Sequence, residues 1–163
     1  MKKIVQFAVA ASALAVMILS ACSSSKNTVT GVANVSRGKF TGTWVINSVT
    51  YEGIVQQAVT NVFDQAPPAA FVNSKWQLTN SGNGIYTLAD GTSQTIFWSV
   101  NNNTGSNQLF QFKKLYQGDK ASKVTEGYQL IVAANDGNMM TLKSPVDLGG
   151  KTAYVVYMFS KTK

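Results

Sequence analysis

Hydrophobic and polar residues alternate in short runs along most of the chain after residue 38. In the run from Thr43 to Thr50, Trp44 and Ile46 lie on the opposite side of an extended strand from Val45. About eight such runs can be counted, and they cover 43–50, 74–78, 84–88, 93–100, 108–115, 126–133, 138–143 and 152–159. Turn signals such as Asp90-Gly91 separate them. Short, regularly spaced strands of this kind predict an all-β sandwich or barrel.

The short connections between the runs favour an up-and-down antiparallel order, because consecutive strands joined by short turns usually pair with each other. Eight strands that close on themselves form a barrel, which is either filled by side chains or wide enough for one small ligand. Spacing alone does not separate a barrel from a sandwich. We prefer the barrel because of the family resemblance described below.

The segment from Glu52 to Val72 interrupts the alternating pattern. Its apolar residues between Ile54 and Phe63 recur at helix-like spacing, and Pro67-Pro68 would end any helix there. A connection of about 20 residues is long for a hairpin loop, and long loops in compact domains are often functional. The segment is predicted either to fold over one end of a barrel as a lid or to plug that end as part of the core.

The N-terminal residues form a separate pattern. Met1-Lys2-Lys3 precedes an uncharged apolar run from Ile4 to Leu19, which is typical of an export signal rather than of a membrane span. Leu19-Ser20-Ala21-Cys22 resembles the lipobox of bacterial lipoproteins, which implies cleavage before Cys22 and its acylation by fatty acids such as palmitate. The alternative is an ordinary secretion signal followed by an unmodified cysteine.

These features divide the chain into three parts. We expect a cleaved lipoprotein signal peptide over 1–21, the lipidated cysteine and a flexible tether over 22–38, and a folded domain over 39–163. A serine follows Cys22, with neither an aspartate that would resemble an inner-membrane retention signal nor an acidic run that would resemble a surface-export tag. The expected location is therefore the periplasmic face of the outer membrane, with Cys22 as the contact to the membrane.

Charge and composition exclude several classes of function. The 163 residues carry a net charge of +7, which falls to +5 when Lys2 and Lys3 leave with the signal peptide. The basic residues are scattered, so no nucleic-acid partner is expected. The chain has no histidine and one cysteine, so zinc, copper and haem sites lack their usual ligands, and Ser-His or Cys-His pairs cannot form. We expect no metal, no cofactor and no catalytic residue.

A short motif at the start of the folded domain resembles a known family. Phe40-Thr41-Gly42-Thr43-Trp44 resembles the Gly-x-Trp signature of lipocalins, and 39–163 is similar to the lipocalin-like domain of bacterial lipoproteins, particularly those of the Bacteroidetes. The stretches 63–68, 96–99 and 144–146 are also similar to that subfamily. The resemblance implies that Gly42 allows a tight turn into the first strand and that Trp44 closes the base of the barrel.

The chain departs from this family in three ways. It has no later motif of the Thr-Asp-Tyr type. No arginine follows Arg37, so the basic residue that packs over the tryptophan in lipocalins is missing, and Lys161 or Lys163 would replace it only loosely. Val62 and Ala70 stand where the subfamily's relatives carry a cysteine pair, so the long loop lacks that disulfide.

The resemblance implies a protein that binds or carries a small hydrophobic or amphipathic molecule inside its barrel. Alternate residues of barrel strands point inward, and aromatic walls suit apolar ligands. The candidate wall residues are Trp98, Phe110, Phe112, Tyr128 and Tyr154. Each of them would serve equally well as plain core.

Two other functions are weighed against ligand binding. A structural or accessory lipoprotein with a solid barrel would dock on an outer-membrane or periplasmic protein, and an outer apolar patch containing Phe97 or Tyr157 would favour it. An enzyme is disfavoured by the missing histidine and free thiol. Asp64, beside Pro67, is the one loop carboxylate of interest for acid–base chemistry, and its alternative role is to stabilise a turn.

Overall fold

The computed structural model describes residues 34–102 and 107–163, and their eight antiparallel strands form one closed barrel in sequence order. The strands are β1 (Gly42–Glu52), β2 (Lys75–Leu78), β3 (Asn83–Thr87), β4 (Ser93–Asn101), β5 (Leu109–Lys114), β6 (Tyr128–Asn135), β7 (Met139–Asp147) and β8 (Thr152–Lys161). Each strand pairs with the next, and β8 pairs with β1. The predicted all-β, up-and-down barrel of about eight strands is therefore confirmed. The predicted signal peptide and Cys22 lie outside the described residues.

The barrel interior is filled by large side chains from alternate positions of every strand. A β-bulge between Ile46 and Ser48 shifts the register of β1, so that Val49 and Tyr51 continue the inward face after Trp44 and Ile46. The largest fully buried side chains include Trp44, Trp98, Tyr86, Tyr157, Phe40, Phe71, Phe110 and Phe112. Burial of so many aromatic rings is the main source of stability for this domain.

One end of the barrel, the base, is closed by the chain that leads into β1. A 3₁₀ turn at Arg37–Phe40 buries Phe40 completely. Just before this turn, the Val35 amide donates a 3.1 Å hydrogen bond to Oε1 of Gln108. Nε2 of Gln108 in turn donates a 2.7 Å bond to the Val35 carbonyl. The described residues from Val35 onward thus contact the barrel, and the folded part begins before the predicted boundary at residue 39.

The other end, the mouth, carries the β1–β2 loop (53–74) and the loops 88–92, 115–127 and 148–151. The helix-like spacing of apolar residues in the long loop does not correspond to an α-helix. That loop contains only 3₁₀ turns at Gln56–Ala58 and Pro68–Phe71. Its apolar residues do not share one face, because Val55 is 67 % exposed whereas Phe63 is 5 % exposed and lies in the core. Of the two predicted roles, the loop has that of a plug.

The two faces of β8 are assigned differently from the sequence-based expectation. Val155, Tyr157 and Phe159 belong to the core, so Tyr154 lies on the outer face, beside the ion pair between Lys143 and Glu52. Tyr154 therefore does not line the interior, and Tyr157 does not belong to an outer patch. Both faces of β8 are apolar, so alternation alone could not decide between them. No helix among the described residues is long and apolar enough to cross a bilayer.

Candidate functional site

The base of the barrel is built around Trp44. Its ring is fully buried, and its Nε1 donates a 2.8 Å hydrogen bond to the Phe40 carbonyl. Gly42 has a φ of +119°, and a Cβ added there would lie 2.5 Å from Cε of Lys161. A residue with a side chain would therefore be strained at this position and would collide with Lys161. This geometry agrees with the tight turn that the Gly-x-Trp resemblance implies for Gly42.

A basic residue does pack over Trp44. The β1–β8 register pairs Trp44 with Lys161, whose Nζ lies 5.2 Å from the centroid of the indole ring. Of the two lysines expected to replace the lipocalin basic residue only loosely, Lys161 takes this place, because the bulge in β1 and the length of β8 bring it into register with Trp44. A cation over an indole face is attracted by the ring quadrupole and shields the buried ring from water.

A second cation lies over the neighbouring tryptophan at the base. The guanidinium carbon of Arg37 is 4.2 Å from the centroid of Trp98, and Nη2 of Arg37 donates to the Trp98 carbonyl at 3.4 Å. Sequence reasoning placed Arg37 in the tether and missed this contact. No local pattern in the sequence indicates this contact, because Trp98 lies 61 residues further along the chain.

Three of the five candidate wall residues lie in the interior as core. Trp98, Phe110 and Phe112 are at most 1 % exposed, and Phe110 stacks on Trp98 with ring centroids 5.7 Å apart. Tyr128 is half-buried at the mouth, whereas Tyr154 lies on the outer face. The structure thus brings four of the five to the interior or its rim, and their ligand-binding role stays a prediction.

The mouth is stoppered by the side chain of Phe63. Its ring contacts five other aromatic rings, whose centroids lie between 5.0 and 6.3 Å away: Phe71, Trp76, Phe112, Tyr128 and Tyr157. Phe63 and Asp64 have φ values of 54° and 45°, in the left-handed region that non-glycine residues rarely adopt. Burial of the Phe63 ring therefore holds the backbone in a conformation that is unfavourable by itself.

The residues around Phe63 form a compact turn, 62–66, which we call the stopper turn. The amide of Val62 donates to the Ala66 carbonyl at 2.9 Å, and the amide of Gln65 donates to the Val62 carbonyl at 3.1 Å. The sequence signal for this turn was Phe63, a bulky apolar residue directly before Asp64-Gln65-Ala66-Pro67. The helix-like spacing of the apolar residues in this segment concealed that signal.

Side chains from three strands hold the stopper turn in place. Tyr128 donates a 2.7 Å hydrogen bond to the Asp64 carboxylate, Lys114 donates to the Asp64 carbonyl at 3.1 Å, and the Tyr86 hydroxyl bonds to the Gln65 side chain. Burial, and then the hydrogen bond to Asp64, raise the pKa of Tyr128 well above its usual value. Tyr128 thus stays a protonated donor, and the Asp64 carboxylate accepts its bond in a role that secures a turn.

Three open grooves surround the long loop at the mouth. One of about 380 Å³ lies between the stopper turn and the 115–127 loop, and its lining includes Lys113, Lys114, Tyr116 and Tyr128. The second, of about 330 Å³, lies between 58–63 and 144–146, and the third, of about 300 Å³, lies beside Tyr51 and Pro68. The first two grooves share Tyr128, so they meet next to Phe63.

Two buried polar atoms have no hydrogen-bond partner among the described residues: Nε1 of Trp98 and the hydroxyl of Tyr157. Buried donors without an acceptor are rare in folded proteins and costly. Trp98 lies near the base, under Arg37. Tyr157 lies next to the mouth residue Phe63, with the centroids of the two rings 5.5 Å apart. Burial raises the pKa of Tyr157, so its hydroxyl is a protonated donor at neutral pH.

No group of three or more histidine, cysteine, aspartate or glutamate side chains occurs within 34–102 or 107–163 that could hold a metal ion. At the mouth, Lys114 donates to the backbone carbonyl of Asp64 and thereby helps to fix the stopper turn. The site therefore offers shape, aromatic surface and hydrogen-bond donors.

Comparisons with known proteins found similar solved structures whose sequences differ strongly from that of this chain. No family model matches the chain, and no curated protein matches it. The similar solved structures include apocrustacyanin C1, lobster apocrustacyanin A1 and apocrustacyanin C2, each at 11 % identity, with TM-scores of 0.41, 0.39 and 0.40. Each comparison covers 78 % of this chain and 63 % of the other, so the chain spans less than two thirds of their length.

Proposed function

We propose that the chain is a lipid-anchored, lipocalin-like protein of the cell envelope whose barrel binds a small hydrophobic or amphipathic molecule through its mouth. The observation that carries this proposal is the difference between the two ends of the barrel. The base is sealed by Phe40 and by Lys161 over Trp44, whereas the mouth is stoppered by the Phe63 ring on a loop. A loop can withdraw at a lower free energy than a strand can open, so the mouth is the end through which a ligand would enter.

The surroundings of Phe63 support an apolar or amphipathic ligand. The rings that contact Phe63 would form an aromatic wall if its side chain withdrew, and the grooves beside it extend outward to Lys113 and Lys114. An apolar body would bind against the rings, and a polar end would stay near the wet rim. Trp98, Phe110 and Phe112 would then form the deeper wall, and Tyr128 the rim.

Anchoring and location are the second part of the proposal. The lipobox-like Leu19-Ser20-Ala21-Cys22 supports acylation of Cys22, and two or more acyl chains hold a protein stably to a membrane. The serine after Cys22 and the lack of an acidic run support the periplasmic face of the outer membrane. Membership of the lipocalin-like lipoproteins of the Bacteroidetes rests on the Gly-x-Trp motif and the three similar stretches.

The filled interior favours a second candidate, a solid barrel that acts as an accessory protein. Three exposed apolar residues lie on three different loops of the mouth: Val55, Tyr116 and Leu148, with exposed fractions of 67 %, 64 % and 46 %. A contiguous apolar patch formed by these residues would be typical of a surface that docks on another protein. Under this candidate, Phe63 would be permanent core.

A binding titration separates the two candidates. The full chain would be titrated with 11-(dansylamino)undecanoic acid, a fluorescent amphipath, and the bound probe would then be displaced with oleate. Ligand binding predicts a saturable 1:1 signal that oleate abolishes. Tyr154→Ala is the matched control, because Tyr154 lies on the outer face and its loss should leave the affinity unchanged. The lack of any saturable signal would reject ligand binding and leave the solid barrel.

A further inference from the structure

The site that Phe63 occupies suits its ring, but it places the Phe63 backbone in an unfavourable conformation. Its side chain makes edge contacts with four aromatic rings and a tilted contact with Tyr157. Its backbone, together with that of Asp64, is held in the left-handed region. Left-handed conformations of L residues are sterically unfavourable and persist only where the surroundings impose them. Withdrawal of the ring would therefore release backbone strain while it vacates a ring-sized site.

The stopper turn is attached to the barrel by bonds that water can replace. The Asp64 carboxylate and carbonyl accept from Tyr128 and Lys114, and both bonds are exposed. The Tyr86–Gln65 bond is only partly buried. The two internal hydrogen bonds of 62–66 would move with the turn. Within the turn itself, only Phe63 and Val62 are buried.

One of the rings that contact Phe63 carries an unsatisfied donor. The Tyr157 ring is fully buried, and its centroid lies 5.5 Å from that of the Phe63 ring. Its hydroxyl has no hydrogen-bond partner among the described residues. The phenylalanine ring offers this hydroxyl no conventional acceptor. A molecule with a carbonyl or ether oxygen would satisfy it and recover the cost of the buried donor.

We propose that the Phe63 ring stands in for the ligand, and that the ligand is a molecule with a flat apolar ring and a hydrogen-bond acceptor, which displaces Phe63 and accepts a bond from Tyr157. This inference rests on the proposed function and names the chemical class that the site takes. Acceptor-bearing rings are preferred over rings of the same shape without an acceptor, because a site with an unpaired donor discriminates against a partner that cannot pair with it.

The test compares two probes of nearly equal shape, 4′-fluoroacetophenone and 4-fluoro-α-methylstyrene, which differ in a carbonyl oxygen against a methylene group. Dissociation constants would be measured by ¹⁹F NMR titration of the full chain and its Phe63→Ala variant. We expect both proteins to bind the ketone more tightly than the alkene, by about tenfold. We also expect Phe63→Ala to bind the ketone at least about tenfold more tightly than the unaltered chain, because no internal ring must be displaced.

Two further variants separate this site from an ordinary cavity. Phe63→Ala combined with Tyr157→Phe keeps the space but removes the donor, so the preference for the ketone should vanish. Phe71→Ala is the matched control, because Phe71 is a buried mouth ring that contacts Phe63 and Tyr86. The cavity left by Phe71 should bind the two probes equally, whereas the Phe63 site of the same variant should keep its preference for the ketone. Phe63→Leu replaces Phe63→Ala if the latter does not fold, and should show the same ketone preference.

Equal affinities of Phe63→Ala for the two probes, or a preference that survives Tyr157→Phe, would overturn the inference. Ketone binding by Phe63→Ala with none by the unaltered chain would also overturn it, since the ring would then not be displaceable. The dansyl titration separates this failure from that of the proposed function. Saturable binding of the amphipath without ketone preference overturns only the ligand class, whereas binding of no probe by the unaltered chain rejects both.

Discussion

Replacement of Trp44 by alanine is the sharpest test of how the barrel is closed. A large aromatic side chain buries about 250 Å², which at about 25 cal/mol per Å² amounts to about 6 kcal/mol as an upper bound. Buried tryptophans replaced by alanine in other proteins cost about 3–5 kcal/mol. Trp44 is fully buried, its Nε1 hydrogen bond to Phe40 would be lost, and Lys161 would lie over a cavity. We therefore expect a loss of about 4 kcal/mol, towards the middle of that range.

The assay is equilibrium unfolding in guanidinium chloride, followed by circular dichroism. A loss of about 4 kcal/mol is a large part of the 5–15 kcal/mol that holds a typical domain together, so the midpoint should fall steeply. Trp44→Phe is the matched control, because it keeps a ring but removes the Nε1 donor to the Phe40 carbonyl, and should cost about 1–2 kcal/mol. A loss below about 1 kcal/mol for Trp44→Ala, near the range of surface substitutions, would refute the reasoning.

Three other perturbations have defined outcomes. Cys22→Ser should release the protein from membranes and leave the signal peptide uncleaved by the lipoprotein peptidase; unchanged partitioning in a membrane fractionation would contradict lipidation. EDTA should leave the melting temperature unchanged, and a fall would reveal a metal site. The backbone amides of Met139 and Asn138 lower the pKa of Asp136, so its contribution to stability is present above the ordinary carboxyl pKa and is lost as the pH falls through the lowered one. Asp136→Asn should therefore flatten the acid limb of a stability–pH curve, and an unchanged limb would contradict this assignment.

The strands were predictable because alternation and turn signals are local properties of the sequence. Asp90-Gly91 and Asp136-Gly137 separate consecutive antiparallel strands at β3–β4 and β6–β7. The face of β5 was predictable as well, since Phe110 and Phe112 alternate with Gln111 and Lys113. On β8 both faces are apolar, so only the pairing of Trp44 with Lys161 distinguishes Tyr157 inside from Tyr154 outside.

The features of the mouth and base that were missed depend on contacts between distant parts of the chain. Phe63 lies in a segment with helix-like spacing, but the barrel interior offers its ring more burial than a short helix face on the surface would. Arg37 lies over Trp98, 61 residues away, and no local pattern indicates that contact. The missing arginine, and Lys161 or Lys163 as its loose replacement, were predicted from the sequence, whereas the choice of Lys161 follows from strand register.

Native mass spectrometry of the full chain, extracted from its own membranes in mild detergent, tests the central claim most directly. Ligand binding predicts an additional small mass that organic extraction removes, while the covalent acyl chains on Cys22 stay with the protein. An identical mass before and after extraction, together with no complex when the amphipathic probe is added, would contradict the claim that the barrel binds a small molecule.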